Sequence, residues 1–359
     1  MVERGRVRRV TLRDIADKVG VTASAVSMAL ADNPRIGVDT RKTIQEAARE
    51  LGYVPSSAAR ALRNQHAGTI ALIVPTTATH VFGHSYFMHV LEGTSSVANE
   101  HDVQLLVSTN PDNDHGLAAY ERVMRSHSAD GAILTSAAIE DPTVERLIDS
   151  GLPVVMIGSF PYLPGAVTVG VDDRAASRAV TEHLIAVHGR TRLLHISGTL
   201  DHQTGVDRRD GFLDAVRAHG LEADALIVEG DLSEESGAAA IRELGPRISG
   251  IDGLVAANDD MAFGALTLLR AAGVDVPGAL SIAGFDDFGL ARVTTPSLTT
   301  VRVPAQRLAR LATARLFEIM AGDEGGWRRH VVEVELVLRQ SCGCQPMDST
   351  ADEAAVLPV

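Results

Sequence analysis

Two short helices separated by a glycine are specified early in the chain by their own capping residues. Thr11 stands where a helix N-cap is needed, and Asp14, three residues on, can close a capping box with it. Leu12, Ile15, Ala16 and Val19 fall at i, i+3, i+4 and i+7, which gives one apolar face. Gly20 permits a sharp reversal, and Thr22 can cap a second helix whose Val26 and Leu30 point inward. Two such helices across a tight turn make a helix-turn-helix, with the second helix offered to the major groove of DNA. An ordinary helical hairpin carries the same local signature.

The charge distribution favours the DNA-binding alternative. Residues 1–66 hold twelve Lys/Arg and seven Asp/Glu, a net +5, whereas the whole chain is −13 and residues 67–359 therefore carry −18. A single basic end on an acidic protein is a localised phosphate-binding surface. Arg4, Arg6, Arg8 and Arg9 form a basic arm ahead of the first helix. No apolar run reaches the eighteen or so residues of a membrane span, and the basic start is followed by helix-turn-helix material instead of a signal region. A cytoplasmic protein without a membrane partner is expected. The two cysteines, in Cys342-Gly343-Cys344, make no disulfide framework. A metal or redox role is conceivable for them, but no second cysteine pair completes a site, so the segment reads as an inert tail.

A third helix is expected over Arg41–Leu51, with Ile44, Ala47, Ala48 and Leu51 as its buried stripe and Gly52 as its end. Tyr53-Val54-Pro55 is then extended, because a residue before proline avoids the helical region. Ser56 can cap the short run Ser57–Arg63, which is too short to hold as a helix alone and should fold only when something orders it. Its small apolar face, flanked by Arg60 and Arg63, suits a narrow groove lined by phosphates.

These segments resemble the LacI/GalR family of bacterial repressors. That family shares T-L-x-D-[IV]-A-x-x-[AV]-G-V-[ST] and V-S, followed by L-G-Y-x-P-x-x-x-A-R-x-L, and both halves occur here at the right separation. The resemblance covers nearly the whole chain. It implies DNA contacts from Thr11, Thr22, Ala23, Ser24, Ser27 and Met28 in the head. It also implies contacts from Ala59, Leu62 and Arg63 in a hinge helix that pairs with its partner in the minor groove of a homodimer, with Leu62 as the wedge in the central base step. The partner DNA would be a double-stranded, pseudo-palindromic operator. Many relatives carry Arg where this chain has Met28 and larger polar residues where it has Ala23. Met28 cannot make the bidentate guanine contact that Arg makes, though Ala23 and Met28 can touch a thymine methyl and Ser24 can hydrogen-bond.

Downstream, short apolar runs alternate with amphipathic stretches. Strands are expected at Ile70–Val74, Val103–Val107, Gly131–Leu134, Pro153–Ile157, Leu193–Ile196, Gly253–Ala256 and Leu280–Gly284, with helices such as His89–Glu100 and Arg174–Val187 between them. That rhythm predicts doubly wound parallel sheets in a segment long enough for two lobes. The fold class expected is an all-α helix-turn-helix head plus an α/β core of two doubly wound lobes, similar to periplasmic binding proteins. The organisation expected is a DNA-binding domain over 1–55, hinge helix and linker over 56–66, effector-binding and dimerising core over 67–340, and an unstructured tail over 341–359.

In such a core, ligands sit beyond the carboxyl ends of the strands. Asn258 and Asp259 follow one predicted strand and Asp286 and Asp287 another, while Arg208 opens a helix. The resemblance implies that Arg208, Asn258 and Asp286 hold the effector. A five-donor cation, an amide and an acceptor-only carboxylate suit a polyol or heterocycle. Asp259 and Asp287 read mainly as turn or capping residues. Tyr86 and Phe87 can stack on a sugar or planar ligand from the opposite wall. Leu232 stands where several sugar- and purine-binding relatives have an aromatic residue, which removes one stacking platform. A sugar is the expected effector and no cofactor is expected. His80, His84 and His89 raise a metal site, but their spacing, loop then loop then helix, does not support it.

An enzyme of this fold class would need a dinucleotide fingerprint, a P-loop or a G-x-S-x-G elbow, and none is present. A secreted solute receptor would need a signal peptide where the helix-turn-helix stands. The expectation is a non-enzymatic transcriptional regulator, most simply a repressor.

Overall fold

The computed structural model describes residues 10–53, 66–112, 117–323, 325–344 and 355–358. The chain divides into two units, residues 1–67 and 68–359.

The first unit is three helices: α1 (Leu12–Val19), α2 (Ala23–Leu30) and α3 (Val38–Glu50). Thr11 and Asp14 form the reciprocal capping box, with Thr11 N donating to Asp14 Oδ2 at 2.8 Å and Asp14 N to Thr11 Oγ1 at 3.3 Å. Gly20 closes α1 at φ 76°, a conformation that carries little penalty only for glycine. Thr22 caps α2 by accepting from Ala25 N at 3.1 Å. Ile15, Val26, Ala29 and Ile44 are fully buried and Ala16, Ala47 and Ala48 nearly so, with Leu12, Val19, Leu30 and Leu51 packed around them. α3 begins three residues before the expected Arg41, at Val38, because Val38–Thr40 is an exposed turn whose one apolar residue, Val38, takes no part in the buried stripe. The proposed hinge helix, with Ala59, Leu62 and Arg63, lies outside the described residues, as does the basic arm.

The second unit holds two parallel sheets. One has six strands in the order β11-β5-β4-β3-β1-β2 (β1 Thr69–Thr77, β2 Gln104–Asn110, β3 Gly131–Thr135, β4 Val154–Ile157, β5 Thr168–Gly170, β11 Arg329–Val331). The other has four, in the order β7-β6-β8-β9 (β6 Leu193–Ser197, β7 Leu226–Glu229, β8 Gly253–Ala256, β9 Ser281–Ala283). Ile70–Val74 and Gly131–Thr135 are buried without interruption, as expected of strands covered by helices on both faces.

The helices of the first lobe are α4 (Ala78–Gly83), α5 (Ser85–Glu100), α6 (Ala118–Ser126), α7 (Pro142–Asp149) and α12 (Ala305–Met320). Those of the second are α8 (Asp173–Ala186), α9 (Gln203–Ala218), α10 (Glu234–Leu244) and α11 (Asp259–Ala271). A third, antiparallel sheet joins β10 (Thr300–Arg302), β12 (Glu335–Leu338) and β13 (Ala355–Pro358). The chain passes between the lobes after β5, β10 and β11.

The tail departs from expectation. Residues 340–342 form a turn of 3₁₀ helix in which Ser341 and Cys342 are fully buried, and residues 355–358 pair with β12. Ser341 Oγ donates to the carbonyl of Ile282 at 2.6 Å and accepts from Thr299 N at 2.8 Å, ties to distant residues that its own sequence does not announce.

Candidate effector cleft and DNA-reading head

The carboxyl ends of both parallel sheets face one cleft of about 540 Å³, a volume within the usual range for small-ligand sites. Each wall is built by the turn that follows a strand. β1 leads to His80, His84, Tyr86 and Phe87, β3 to Thr135–Ala138, and β4 to Ser159 and Phe160. From the other lobe, β6 leads to Asp201 and His202, β7 to Asp231 and Leu232, β8 to Asn258, and β9 to Asp286. All six residues expected to hold an effector (Tyr86, Phe87, Arg208, Leu232, Asn258 and Asp286) line this space.

Arg208 is the electrostatic centre of the cleft. It projects from α9, is 7 % exposed, and donates from Nε to Asp173 Oδ1 at 2.8 Å. Its Nη1 lies 3.3 Å from Asp286 Oδ1 and also donates to the Ala257 carbonyl, and the guanidinium sits 3.7 Å from the centre of the Phe285 ring. A cation so placed is held by two carboxylates and an aromatic face. Burial raises the Asp173 carboxyl above the ordinary range and pushes Asp286 up to about 7, in both cases against the pull of Arg208. Asp286 has φ 111°, a left-handed backbone that turns it off the end of β9.

Asn258 does two things at once. Its Oδ1 accepts from Met261 N at 2.9 Å and caps α11, while its Nδ2 donates to the Leu232 carbonyl at 2.8 Å. Leu232 is thereby anchored by its main chain, at φ 69°, with its side chain bordering the cleft. Tyr86 OH lies 3.4 Å from Thr135 Oγ1, and burial pushes its phenol up to about 12, so it is a neutral hydroxyl at physiological pH.

Asp259 and Asp287 are tied into the frame beside the cleft. Asp259 accepts from Thr300 Oγ1 at 2.6 Å and Asp287 N at 2.7 Å, and Asp287 accepts from Arg302 Nε at 2.8 Å and Arg339 Nη2 at 2.6 Å.

The three nearby histidines separate. His80 and His84 enter the cleft with ring centres 4.7 Å apart, whereas His89 tilts against Phe288 at 4.8 Å. Each of two histidines has a carboxylate beside it: Asp260 Oδ2, from a distant stretch, lies 3.3 Å from His84 Nδ1, and Glu92 Oε2 lies 3.8 Å from His89 Nδ1. Burial lowers the pKa of His80 and of His84, leaving both inclined to neutrality.

On the head, Thr22, Ala23 and Ser24 are exposed at the start of α2, and Ser27 and Met28 are half-buried further along it. Thr11 is exposed but engaged with Asp14, its hydroxyl donating to Asp14 Oδ2 at 2.7 Å. α2 carries no charged side chain at all, so its outer surface offers methyl groups, hydroxyls and a thioether.

Residues 11–56 match the model of bacterial regulatory proteins of the lacI family, and residues 181–342 match that of the periplasmic binding protein-like domain. The HTH-type transcriptional regulator CelR of Thermobifida fusca is 31 % identical over 342 residues, which is 94 % of this chain and 99 % of that protein. The chain belongs to the LacI family of bacterial regulatory proteins. Another relative, the HTH-type transcriptional regulator GntR of Escherichia coli K12, is 31 % identical over 323 residues, covering 88 % of this chain and 93 % of its own. A solved structure described as a transcriptional regulator CelR–cellobiose complex aligns with a TM-score of 0.70 at 29 % identity, over 93 % of this chain and all of that one. The lac repressor dimer bound to operator and the anti-inducer ONPF shares the fold, with a TM-score of 0.81 at 21 % identity over 93 % of this chain and 99 % of its own.

Membership makes this LacI-family chain a helix-turn-helix transcriptional regulator with a periplasmic-binding-like core, in a family that is not enzymatic. Among the described residues no helix is long and apolar enough to cross a membrane. The sequence reading missed Asp173, Phe160 and the Asp201–His202 pair in the cleft. The signal for Asp173 was present: it stands one residue after Asp172, whose Oδ1 accepts from Ala175 N at 2.9 Å and caps α8.

Proposed function

We propose that this LacI-family regulator is a homodimeric repressor whose affinity for a pseudo-palindromic operator is set by a sugar bound in the core cleft. The observation that carries the ligand class is the convergence of Arg208, Asp173, Asp286 and Asn258 among the hydroxyls of Thr135, Ser136 and Ser159. The set contains both donors and acceptors, which is what a polyhydroxylated ligand needs. Tyr86, Phe87 and Phe160 add apolar faces against which the C–H surface of a sugar ring packs.

The cellobiose in the related CelR complex supports an oligosaccharide over a nucleobase, as does leucine at position 232. The effector acts by altering how the core presents its operator-binding elements, a coupling typically worth about 1–3 kcal/mol. Thr11, Thr22, Ala23, Ser24, Ser27 and Met28 would contact the half-site. Ala59, Leu62 and Arg63 keep the minor-groove role that the family resemblance gives them. An Ala23/Met28 surface favours thymine methyl groups over guanine edges.

The test is to recover the operator by genome-wide occupancy and measure anisotropy on it with and without mono- and disaccharides. A palindromic site beside genes of sugar uptake or breakdown, with affinity shifted by one sugar, is expected. Occupancy without a palindrome, or affinity unmoved by every sugar, would overturn the repressor or the effector half of the reading respectively.

A further inference from the structure

Away from the cleft, four side chains from two remote stretches meet. They are His183 on α8, His188 just beyond its end, and Cys342 and Cys344 at the end of the 3₁₀ turn, and their ligating atoms all lie within 4.8 Å of one another. None of the four lines the effector cleft.

We propose that His183, His188, Cys342 and Cys344 form a structural zinc site that staples the C-terminal Cys-Gly-Cys segment to the end of α8. The geometry carries the assignment. With Zn–S bonds of about 2.3 Å and Zn–N bonds of about 2.0–2.1 Å, a regular tetrahedron has N···N edges of about 3.3 Å and S···N edges of about 3.5 Å. The observed separations are 3.2 Å between the two Nε2 atoms, 3.6 Å and 3.5 Å from His183 Nε2 to the sulfurs of Cys342 and Cys344, and 3.4 Å from His188 Nε2 to the Cys344 sulfur. Two thiolates and two imidazoles in that arrangement are the donor set of a closed, four-ligand zinc centre.

The surrounding chain is shaped to deliver these ligands. Gly343 has φ 108°, and a Cβ there would stand 3.2 Å from His188 Nδ1, so only glycine lets both cysteines turn the same way beside that ring. Cys342 is fully buried, and Thr299 Oγ1 lies 3.0 Å from its sulfur, placed to donate a hydrogen bond to a thiolate. Ser281 Oγ donates to the Cys342 carbonyl at 2.9 Å and fixes the backbone. Both cysteines carry free thiols. On binding, each would release its proton to solvent, and no redox partner is required. The histidines supply the half-site that a second cysteine pair would otherwise have provided.

The test is metal analysis of the purified full-length protein, followed by chelation under reducing conditions and refilling with cobalt(II). One zinc per chain is expected, together with the visible bands of tetrahedral cobalt and a thiolate-to-cobalt charge-transfer band. Cys344→Ser and His188→Gln, both at half-buried positions, should each reduce the bound zinc to a small fraction of one equivalent while operator binding persists. If either variant fails to fold, the wild-type zinc content and cobalt spectrum still decide. Wild-type protein that lacks zinc and, when reduced, gives no tetrahedral cobalt spectrum would overturn the site. So would a Cys342–Cys344 disulfide in freshly purified protein that reduction does not convert to a zinc-binding form.

Discussion

Arg208 and Asp173 are joined by a 2.8 Å ion pair in which neither side chain is more than a tenth exposed. A buried pair of this kind adds little net stability, but removing one partner strands the other's charge and typically costs about 3–5 kcal/mol. Arg208→Ala, which leaves Asp173 and Asp286 without their cation, should therefore lower the melting temperature and abolish the sugar response. Operator affinity without sugar should persist in the folded fraction. Asp173→Asn keeps an acceptor for Arg208 Nε and should be milder, with a loss of about 1–3 kcal/mol. Thermal melts combined with sugar titrations followed by operator anisotropy separate the two effects. A variant Arg208→Ala that responds normally would place the effector elsewhere.

Asp173 also shows how the cleft was partly hidden in the sequence. The rule that ligands gather beyond strand ends found Asn258 and Asp286 because the stretches Gly253–Ala256 and Leu280–Gly284, which contain β8 and β9, are mostly apolar and read as strands. It failed at Asp173 because β5, Thr168–Gly170, is a lone valine between a threonine and a glycine and went unrecognised. β7 escaped for a different reason: its residues alternate between partial burial and exposure at the edge of a sheet. The pairing of Thr300 with Val337 joins strands distant in sequence, so no local pattern announces it. The head was nearly all legible, since capping boxes and a left-handed glycine are interactions within a few residues. The cysteine cluster was the least legible, because its histidines lie more than 150 positions from its sulfurs.

Asn258 offers a way to split support from recognition. Asn258→Ala removes the cap of α11 as well as the tether on Leu232, and loss of the cap alone should cost about 1 kcal/mol. Asn258→Ser restores a capping oxygen but cannot reach the Leu232 carbonyl as the amide does. The serine variant should melt close to wild type while its sugar affinity stays reduced. Full recovery of affinity in the serine variant would make Asn258 a helix cap and nothing more.

Thr11→Ala removes one arm of the capping box on α1, and a destabilisation of about 1 kcal/mol confined to the head is expected. Amide hydrogen exchange in residues 12–19 should quicken while exchange in β1 and β3 is unchanged. Operator affinity should fall severalfold and sugar affinity should not move. Equal acceleration of exchange in the core would show that the cap's influence extends beyond the three-helix unit.

If the cleft holds a sugar as proposed, Asp286 should make its binding sensitive to pH near neutrality. Burial pushes its carboxyl up to about 7 from 3.8 despite Arg208, so the folded protein holds a proton there that the unfolded chain has released. By linkage, this group's contribution to stability is fully present below pH 3.8 and is lost as pH rises through about 7. Recognition should run the opposite way, because in the proposed complex a sugar hydroxyl would donate to the ionised carboxylate. Effector affinity should therefore climb with pH below the midpoint, by up to about tenfold per unit, and level off above it. Asp286→Asn should bind the sugar more weakly at pH 8 and lose most of the pH dependence. Calorimetric titrations of both proteins across pH 5.5–8.5 read this directly. A wild-type profile that is flat, or that falls as pH rises, would mean that Asp286 meets the ligand as a protonated donor or does not meet it at all.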